Sequence, residues 1–375
     1  MKMKKIILAT LAIMILLLAG CTQVPQGKVI QEEEITIGFI GPLTGEVAFL
    51  GKSAQKGIQL AVDEINLEGG INGKKVKVIY EDDQLNDKLT YTAYQKLANI
   101  DNANAILTIS YGGIFTISEQ AEQDKIPIIN TIDTSEELAD AGDYVFAVGI
   151  YDEGIGYTIA DFAKQKLKKE KVAIIYYQAE PFVVLVKDSF KERYESLGGE
   201  VIIEEGYAPS HNDFRTTLLK TKQAGVDTLI VLGYDEAGLA LRQAKEINSE
   251  MTFIGMDTFS SEVFLDITGD AAEGAYFTFW EAPDKQEYSN FIRRFKAKYG
   301  EEPSQPLFTS TSYDSMKLLA KAMEKAEKGE ALKQALYETK DFNGLSGSLT
   351  MSNDGIVRSI QETIFQIKNN NFVKI

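Results

Sequence analysis

Short runs of β-branched residues, apolar at consecutive positions, alternate along this chain with longer stretches whose apolar residues recur every three to four positions. ITIGFI (35–40) leads into 53–66, where Ile58, Ala61, Val62 and Ile65 share one helical face. VKVIY (76–80) follows a Gly69-Gly70 helix stop and an Asn72-Gly73 turn; a helix carrying Leu89, Tyr94, Leu97 and Ala98 then precedes AILTIS (105–110). A strand that is apolar on both faces belongs in a sheet covered on both sides, which is what parallel strands joined by helices produce. The expected class is therefore α/β, doubly wound.

The alternation restarts after about residue 150. KVAIIYY (171–177), a helix 183–197 closed by Gly198-Gly199, EVIIEE (200–205), a helix 212–224 closed by Gly225, DTLIVLG (227–233), a helix with Leu239 and Leu241, and MTFIGMD (251–257) follow in turn. Two successive units of similar size imply two lobes, with a cleft where the carboxyl ends of the strands face each other. After residue 280 the pattern becomes helical, over 285–299 and 310–328, and closes with the apolar strand ETIFQI (362–367). A chain of 375 residues that is 44% hydrophobic suffices for two cores.

The first twenty residues have a different layout. Lys2, Lys4 and Lys5 precede an apolar run from Ile6 to Ala19, too short to span a bilayer comfortably, and Leu18-Ala19-Gly20-Cys21 closes it. Cys21 is the only cysteine; after a secretory signal and two small residues it resembles the bacterial lipobox, in which the thiol is acylated and becomes the new N-terminus. That leaves no disulfide, no cysteine zinc site and no thiol nucleophile. Thr22 to Glu34, with Pro25, Gly27 and three consecutive glutamates, reads as a tether. Without the signal's three lysines, 36 basic residues face 55 acidic ones, a net charge of −19. Such a surface excludes nucleic acid as a partner and leaves membrane attachment to the acyl chain.

Motifs of catalysis are sparse. The sole histidine, His211, sits in the loop APSHND, where a solvated or capping role is the plain reading. One histidine and one lipidated cysteine remove most nucleophilic triads and the usual histidine metal sites. There is no phosphate-cradling GxxxxGK[ST], and Gly154-Ile155-Gly156 lacks the third glycine of a dinucleotide turn. Asp82 and Asp83 are adjacent on an extended segment, so their side chains point apart; a solvated, helix-starting turn is expected there. No enzyme, metal or cofactor is expected. PIINTIDTSEE (127–137), by contrast, ends a buried strand in Asn130, Thr131, Asp133, Thr134 and Ser135, small hydrogen-bonding groups placed to hold something polar.

GFIGPLTGEVAFLG (38–51) and GIQLAVDEINLEGGINGKKVKVIYEDDQ (57–84) resemble the branched-chain amino-acid binding proteins of ABC importers, which have the type I periplasmic-binding-protein fold. DYVFAVG (143–149), GYDEAGLALRQAKE (233–246), GDAAEGAYF (269–277) and YDSMKLLAKAMEKA (313–326) continue the likeness in order. The resemblance implies two lobes joined by a three-segment hinge with crossings near 150, 280 and 343. Lobe 1 is then 35–150 and 281–343, and lobe 2 is 151–280 and 344–375, after a 1–20 signal and a 21–34 tether. It implies a monomeric extracytoplasmic receptor, anchored at Cys21, that closes on a small molecule and docks on ABC permease subunits.

Carried over, the family's shelf for a ligand carboxylate falls on Ser110, Tyr111, Gly112, Gly113 and Thr134, with the carbonyl of Ile132 beside it and Asp133 among the ligand-binding residues. Its partner for a ligand ammonium falls on Asp257, which could instead cap a helix. Several wall positions depart from the family: Leu50 replaces an aromatic, Tyr111 a serine, Pro181-Phe182 a tyrosine-glycine pair, and Gly233 beside Tyr234 a tyrosine. The ligand expected is a small zwitterion, an amino acid. The alternatives are a non-amino-acid organic acid or amide in the same cleft, or a sensor that presents its ligand to a membrane receptor.

Overall fold

Each apolar run forms a strand whose alternate residues face two different cores. The computed structural model describes residues 34–45, 47–369 and 371–375. The expected signal, Cys21 and most of the tether lie outside the described residues, while Glu34 already begins the first strand. The first unit runs β1 (Glu34–Gly41), α1 (Ala48–Leu67), β2 (Lys75–Asp82), α2 (Asp87–Asn99), β3 (Ala105–Thr108), α3 (Tyr111–Asp124), β4 (Ile128–Asn130), β5 (Asp133–Thr134), α4 (Glu136–Ala139) and β6 (Val145–Ala147). Its sheet has the order β2-β1-β3-β4-β6 and is parallel throughout. Ile37, Phe39, Leu107, Ile129 and Phe146 pack to one side of it, and Ile40, Ile106, Ile128 and Val145 to the other. This two-sided burial is why the strands read as continuous apolar runs.

The chain then leaves through β7 (Ile150–Tyr151) into α5 (Asp152–Asp161), extended by a π-helical turn at Phe162–Lys166. The second unit follows as β8 (Lys171–Tyr177), α6 (Pro181–Ser196), β9 (Glu200–Tyr207), α7 (Arg215–Gln223), β10 (Thr228–Leu232), α8 (Gly238–Glu246), β11 (Thr252–Gly255), α9 (Glu262–Thr268) and β12 (Tyr276–Phe279). Pro181 opens α6, where its missing N–H costs nothing.

From β12 the chain returns to the first unit as α10 (Lys285–Tyr299), α11 (Pro306–Met323) and α12 (Gly329–Tyr337). Asp284 caps α10, accepting from the N–H groups of Gln286 and Glu287. Glu64 of α1 receives Arg294 Nε at 2.9 Å and the Tyr313 hydroxyl at 2.6 Å, fastening both returning helices. Gly57 lets α1 and α11 approach at backbone distance, for a Cβ there would stand 2.3 Å from the Thr309 carbonyl oxygen. The expected helix over 310–328 instead ends at Met323, and a separate helix starts at Gly329 (φ +67), a left-handed residue that a continuous helix does not accommodate.

A hairpin of β13 (Phe342–Asn343) and β14 (Ser348–Leu349) follows, and β15 (Thr363–Lys368) with β16 (Asn371–Lys374) closes the chain. The second sheet is thus β16-β15-β12-β11-β10-β8-β9, parallel from β12 to β9 and antiparallel at its last two strands. The third passage between sheets is expected near residue 343, and the residues just after it keep bonds to the first unit. Asp314 of α11, buried, accepts the N–H groups of Leu345 (2.9 Å) and Ser346 (2.7 Å), and Ala147 exchanges hydrogen bonds with 355–357. Only at Ile360, whose carbonyl receives the Tyr151 N–H at 3.0 Å, does the segment run beside β7 toward the second sheet.

Gly57→Ala should lower stability by about 3 kcal/mol, because the added methyl must drive α1 off α11. Urea unfolding would show a lower midpoint with an unchanged slope; an unchanged midpoint would mean that the helices are not in backbone contact.

Candidate functional site

Loops leave the carboxyl ends of the parallel strands of both sheets, and the residues singled out in the sequence gather there: 110–113 after β3, 132–134 after β4, Phe182 after β8, Tyr234 after β10 and Asp257 after β11. The polar stretch after β4 is occupied mostly with its own neighbours. Asn130 Oδ1 accepts from the N–H groups of Ile132 (3.0 Å) and Asp133 (3.2 Å), and Thr131 Oγ1 bonds Ser312 at 2.9 Å. Thr134 Oγ1 donates to the Gly149 carbonyl (3.3 Å) and accepts the Gly149 N–H (3.0 Å). Ser135 caps α4 through the Leu138 N–H and meets the Tyr111 hydroxyl at 2.7 Å. Glu136 takes Arg358 in a two-point pair and the Tyr151 hydroxyl at 2.6 Å, which holds its carboxyl below the usual range.

These bonds knit the first and third passages to the first sheet. They also correct two expectations about the shelf. Thr134, fully buried, has no hydroxyl proton left for a ligand carboxylate, and Ser110 donates its own to Asp83. Asp83 is itself not solvated: it is completely buried and also receives Thr90 Oγ1 at 2.7 Å and the Leu85 N–H at 3.0 Å. Asp82, pointing the other way, accepts the Leu43 and Thr44 N–H groups.

What remains facing the cleft from the first unit is sparser. Helix α3 begins at Tyr111-Gly112-Gly113 with no side-chain cap and no acidic residue in its first turn, so its leading amides keep the partial positive charge of a helix start. Gly112 is exposed and Gly113 buried; Leu50 is half-buried against the core and Ile132 lies within it. Asp133 alone in its stretch has a carboxylate without a hydrogen bond or ion pair among the described residues. It touches water yet is enclosed by protein, and this desolvation, with the charge of Glu180 opposite, pushes its pKa up to about 7.

The second unit answers with aromatic and acidic groups. Tyr177 packs tilted against Tyr207 at a centroid separation of 5.6 Å and edge to face against Tyr234 at 5.8 Å, and Tyr234 stays 40% exposed. Phe182 is half-buried beside Glu180, the residue that starts α6. Asp257 is not the cap of the following helix, for Ser261 fills that role by accepting the Phe264 N–H at 3.1 Å. Its carboxylate is open to water inside a protein enclosure that pushes its pKa up to about 6. Burial first, and then the charges of Glu180 and Asp257, push the Tyr234 hydroxyl pKa up.

Two further carboxyls escaped the sequence reading. Asp152, first residue of α5, and Glu362, just before β15, are 2% and 6% exposed, and Asp152 Oδ1 and Glu362 Oε2 have no hydrogen-bond partner. Asp152 faces Asp133, and Glu362 faces Asp257; burial and these neighbours raise both pKa values. Nothing in the sequence marks them, since an acid at a helix start or strand entry is ordinarily exposed. Among the described residues no group of three or more His, Cys, Asp or Glu is arranged to hold a metal ion. His211 is exposed, its ring 4.7 Å from that of Phe214. Two surface depressions of about 410 and 430 Å³, one beside the Arg193–Asp161 pair and one around 222–227 and 248–250, lie away from the cleft residues.

Two wound sheets with an uncapped helix start on one side and an enclosed carboxylate on the other define a small-molecule binding protein of the two-lobed class. The chain belongs to the periplasmic binding protein family, whose profile matches residues 34–370. A leucine-, isoleucine-, valine-, threonine- and alanine-binding protein of Pseudomonas aeruginosa is 26% identical over 338 residues, covering 89% of this chain and 90% of that protein. A branched-chain amino acid transporter substrate binding protein from Streptococcus pneumoniae, solved in complex with isoleucine, is 29% identical with a TM-score of 0.74, covering 92% of this chain and all of that one. The fold is shared as well by a solute binding protein from R. palustris in complex with benzoate, 19% identical, TM-score 0.70, covering 92% of this chain and 96% of that one. The family is one of solute-binding receptors that act outside the cytoplasmic membrane. No helix among the described residues is long and apolar enough to cross a membrane.

A carboxyl whose pKa is higher folded than unfolded holds its proton more tightly in the fold, so its contribution to stability is lost as pH rises from about 4 to the folded value. Asp133→Asn should therefore stabilise the ligand-free protein at pH 8 and change little at pH 4, with the difference developing up to about pH 7. Urea midpoints of parent and variant across that range would test this; a pH-independent difference would mean that Asp133 is not enclosed.

Proposed function

We propose that this chain is the solute receptor of an ABC importer for an amino acid, which it binds as a zwitterion between its two sheets. The observation that carries the reading is the pairing of the bare α3 start with the enclosed, uncapping carboxylate of Asp257. The amides around Tyr111, Gly112 and Gly113 take the ligand carboxylate, and Asp257 takes its ammonium, so that neither charge enters the cleft unmatched. The Ile132 carbonyl lies beside the carboxylate shelf, and Leu50, Phe182 and Tyr234 line the walls. Thr134 and Ser110 act indirectly, by fixing the loops that carry these groups. Contact with both lobes favours the closed arrangement, the passages near 150, 280 and 358–361 serving as hinge. The catalytic motifs absent from the sequence leave binding without turnover as the activity. The names of the amino-acid-binding relatives agree, and the acidic cleft disfavours a bare organic anion such as benzoate.

Outside the folded part, Cys21 is the acylated residue that anchors the receptor, a monomer, near its permease. Cys21→Ser should release it from membranes or leave it unprocessed; a processed protein still bound to membranes would place the anchor elsewhere.

A thermal-shift screen of amino acids, their deaminated acids and their amides tests the ligand class. An amino acid at about a hundred times its dissociation constant adds roughly 2.7 kcal/mol, and its deaminated analogue should add nothing. Asp257→Asn should weaken binding at least about a hundredfold. Because Asp257 must be ionised to meet the ammonium, affinity should fall as pH drops below about 6. Equal binding of the deaminated acid would defeat the reading.

A further inference from the structure

Resting on the amino-acid reading, we infer that the ligand carries a second positive charge on its side chain, held between Asp133 of the first lobe and Glu180 of the second. The Asp257 carboxylate already serves the α-ammonium. A neutral side chain would leave Asp133 and Glu180 facing each other across a cleft that has lost its water, two like charges with nothing between them.

No protein group is in place to neutralise them. Among the described residues no lysine or arginine forms an ion pair with Asp133, Asp152, Glu180, Asp257 or Glu362, although cations elsewhere in the second unit have carboxylate partners, as Lys187 and Lys191 have Glu204. Nor does Asp133 have a structural duty, unlike Asn130, Thr131, Thr134, Ser135 and Glu136 around it.

An independent observation points the same way. Behind Asp133 stands Asp152, and behind Asp257 stands Glu362, each more than nine-tenths buried with one carboxylate oxygen that nothing in the protein satisfies. A buried polar oxygen without a partner is costly, and each of these carboxyls stands next to a carboxylate that lines the cleft. A ligand with two separated cationic groups places N–H donors at both ends of this acidic floor. A metal ion does not suit it, since no three of the carboxyls converge on one point. Chemically, the ligand is an amino acid with an amine or guanidine side chain; the exposed ring of Tyr234, backed by Tyr177 and the buried Tyr207, packs along its methylene stem and faces its charge.

Titration calorimetry with L-lysine, L-arginine, L-norleucine, L-leucine and 1,5-diaminopentane on protein stripped of bound ligand tests this. Norleucine copies the stem of lysine without its ammonium; diaminopentane lacks the carboxylate. Lysine or arginine should bind about a hundredfold more tightly than norleucine. Asp133→Asn and Glu180→Gln, near-isosteric changes whose folding is checked by circular dichroism, should each reduce that preference, and together bring it below about tenfold. Norleucine or leucine binding as tightly as lysine would overturn the second charge and leave the amino-acid reading standing. Diaminopentane binding as well as lysine would keep the cationic cleft and remove the amino acid. Failure of all five would overturn both.

Discussion

The two hydrogen bonds between the Thr134 hydroxyl and the backbone of Gly149 fix the geometry on which the rest depends. They clamp the loop after β4 to the segment that leaves the first lobe, at a point where a Cβ on residue 149 would stand 2.2 Å from the Ile132 carbonyl carbon. With no side chain there, β5 and β7 pair in parallel, Asp133 against Ile150 and Thr134 against Tyr151. The third passage then joins through the Tyr151 N–H and through Arg358 on Glu136. The acid facing the cleft and the pivot of the lobes thus belong to one hydrogen-bonded assembly, so the position of Asp133 is set by the hinge and not by a flexible loop.

Charge in this molecule is distributed unevenly between surface and cleft. On the surface, cations and carboxylates pair freely, and such pairs contribute little each. In the cleft the carboxyls stand without cation partners, and burial raises their pKa values. A binding protein can hold such unfavourable charge because the occupant relieves it.

The fold was legible in the sequence because the two-sided burial of parallel strands forces a local signature. Ile35 to Ile40, Ala105 to Thr108 and Thr228 to Leu232 are apolar at nearly every position, and each lies in a strand. The place of the connecting loops at the strand ends followed from that. Partnership was less legible. Thr134 and Ser110 have the chemistry of ligand donors, and only three-dimensional neighbours, Gly149 and Asp83, show that their protons are committed. Asp83 looked like a solvated turn because its buried partners lie seven and twenty-seven residues away. Asp152 and Glu362 are over two hundred residues apart, and no local pattern announces that they share one acidic floor. The hold of Asp314 on Leu345 and Ser346, just past the expected third crossing, is also a distant contact.

The backbone contact between α1 and α11 has a consequence for how the chain becomes a protein. Gly57 meets Thr309 across some 250 residues, and the second sheet likewise waits for β15 at 363–368 to complete it. Residues 34–375 form one compact unit, and no single cut divides it into two self-sufficient halves. Neither lobe can finish its core until the chain's last few dozen residues exist, so the nascent chain carries two incomplete lobes for most of its synthesis. Completion is then nearly simultaneous, and the cleft between the lobes is the last part of the structure to acquire its shape.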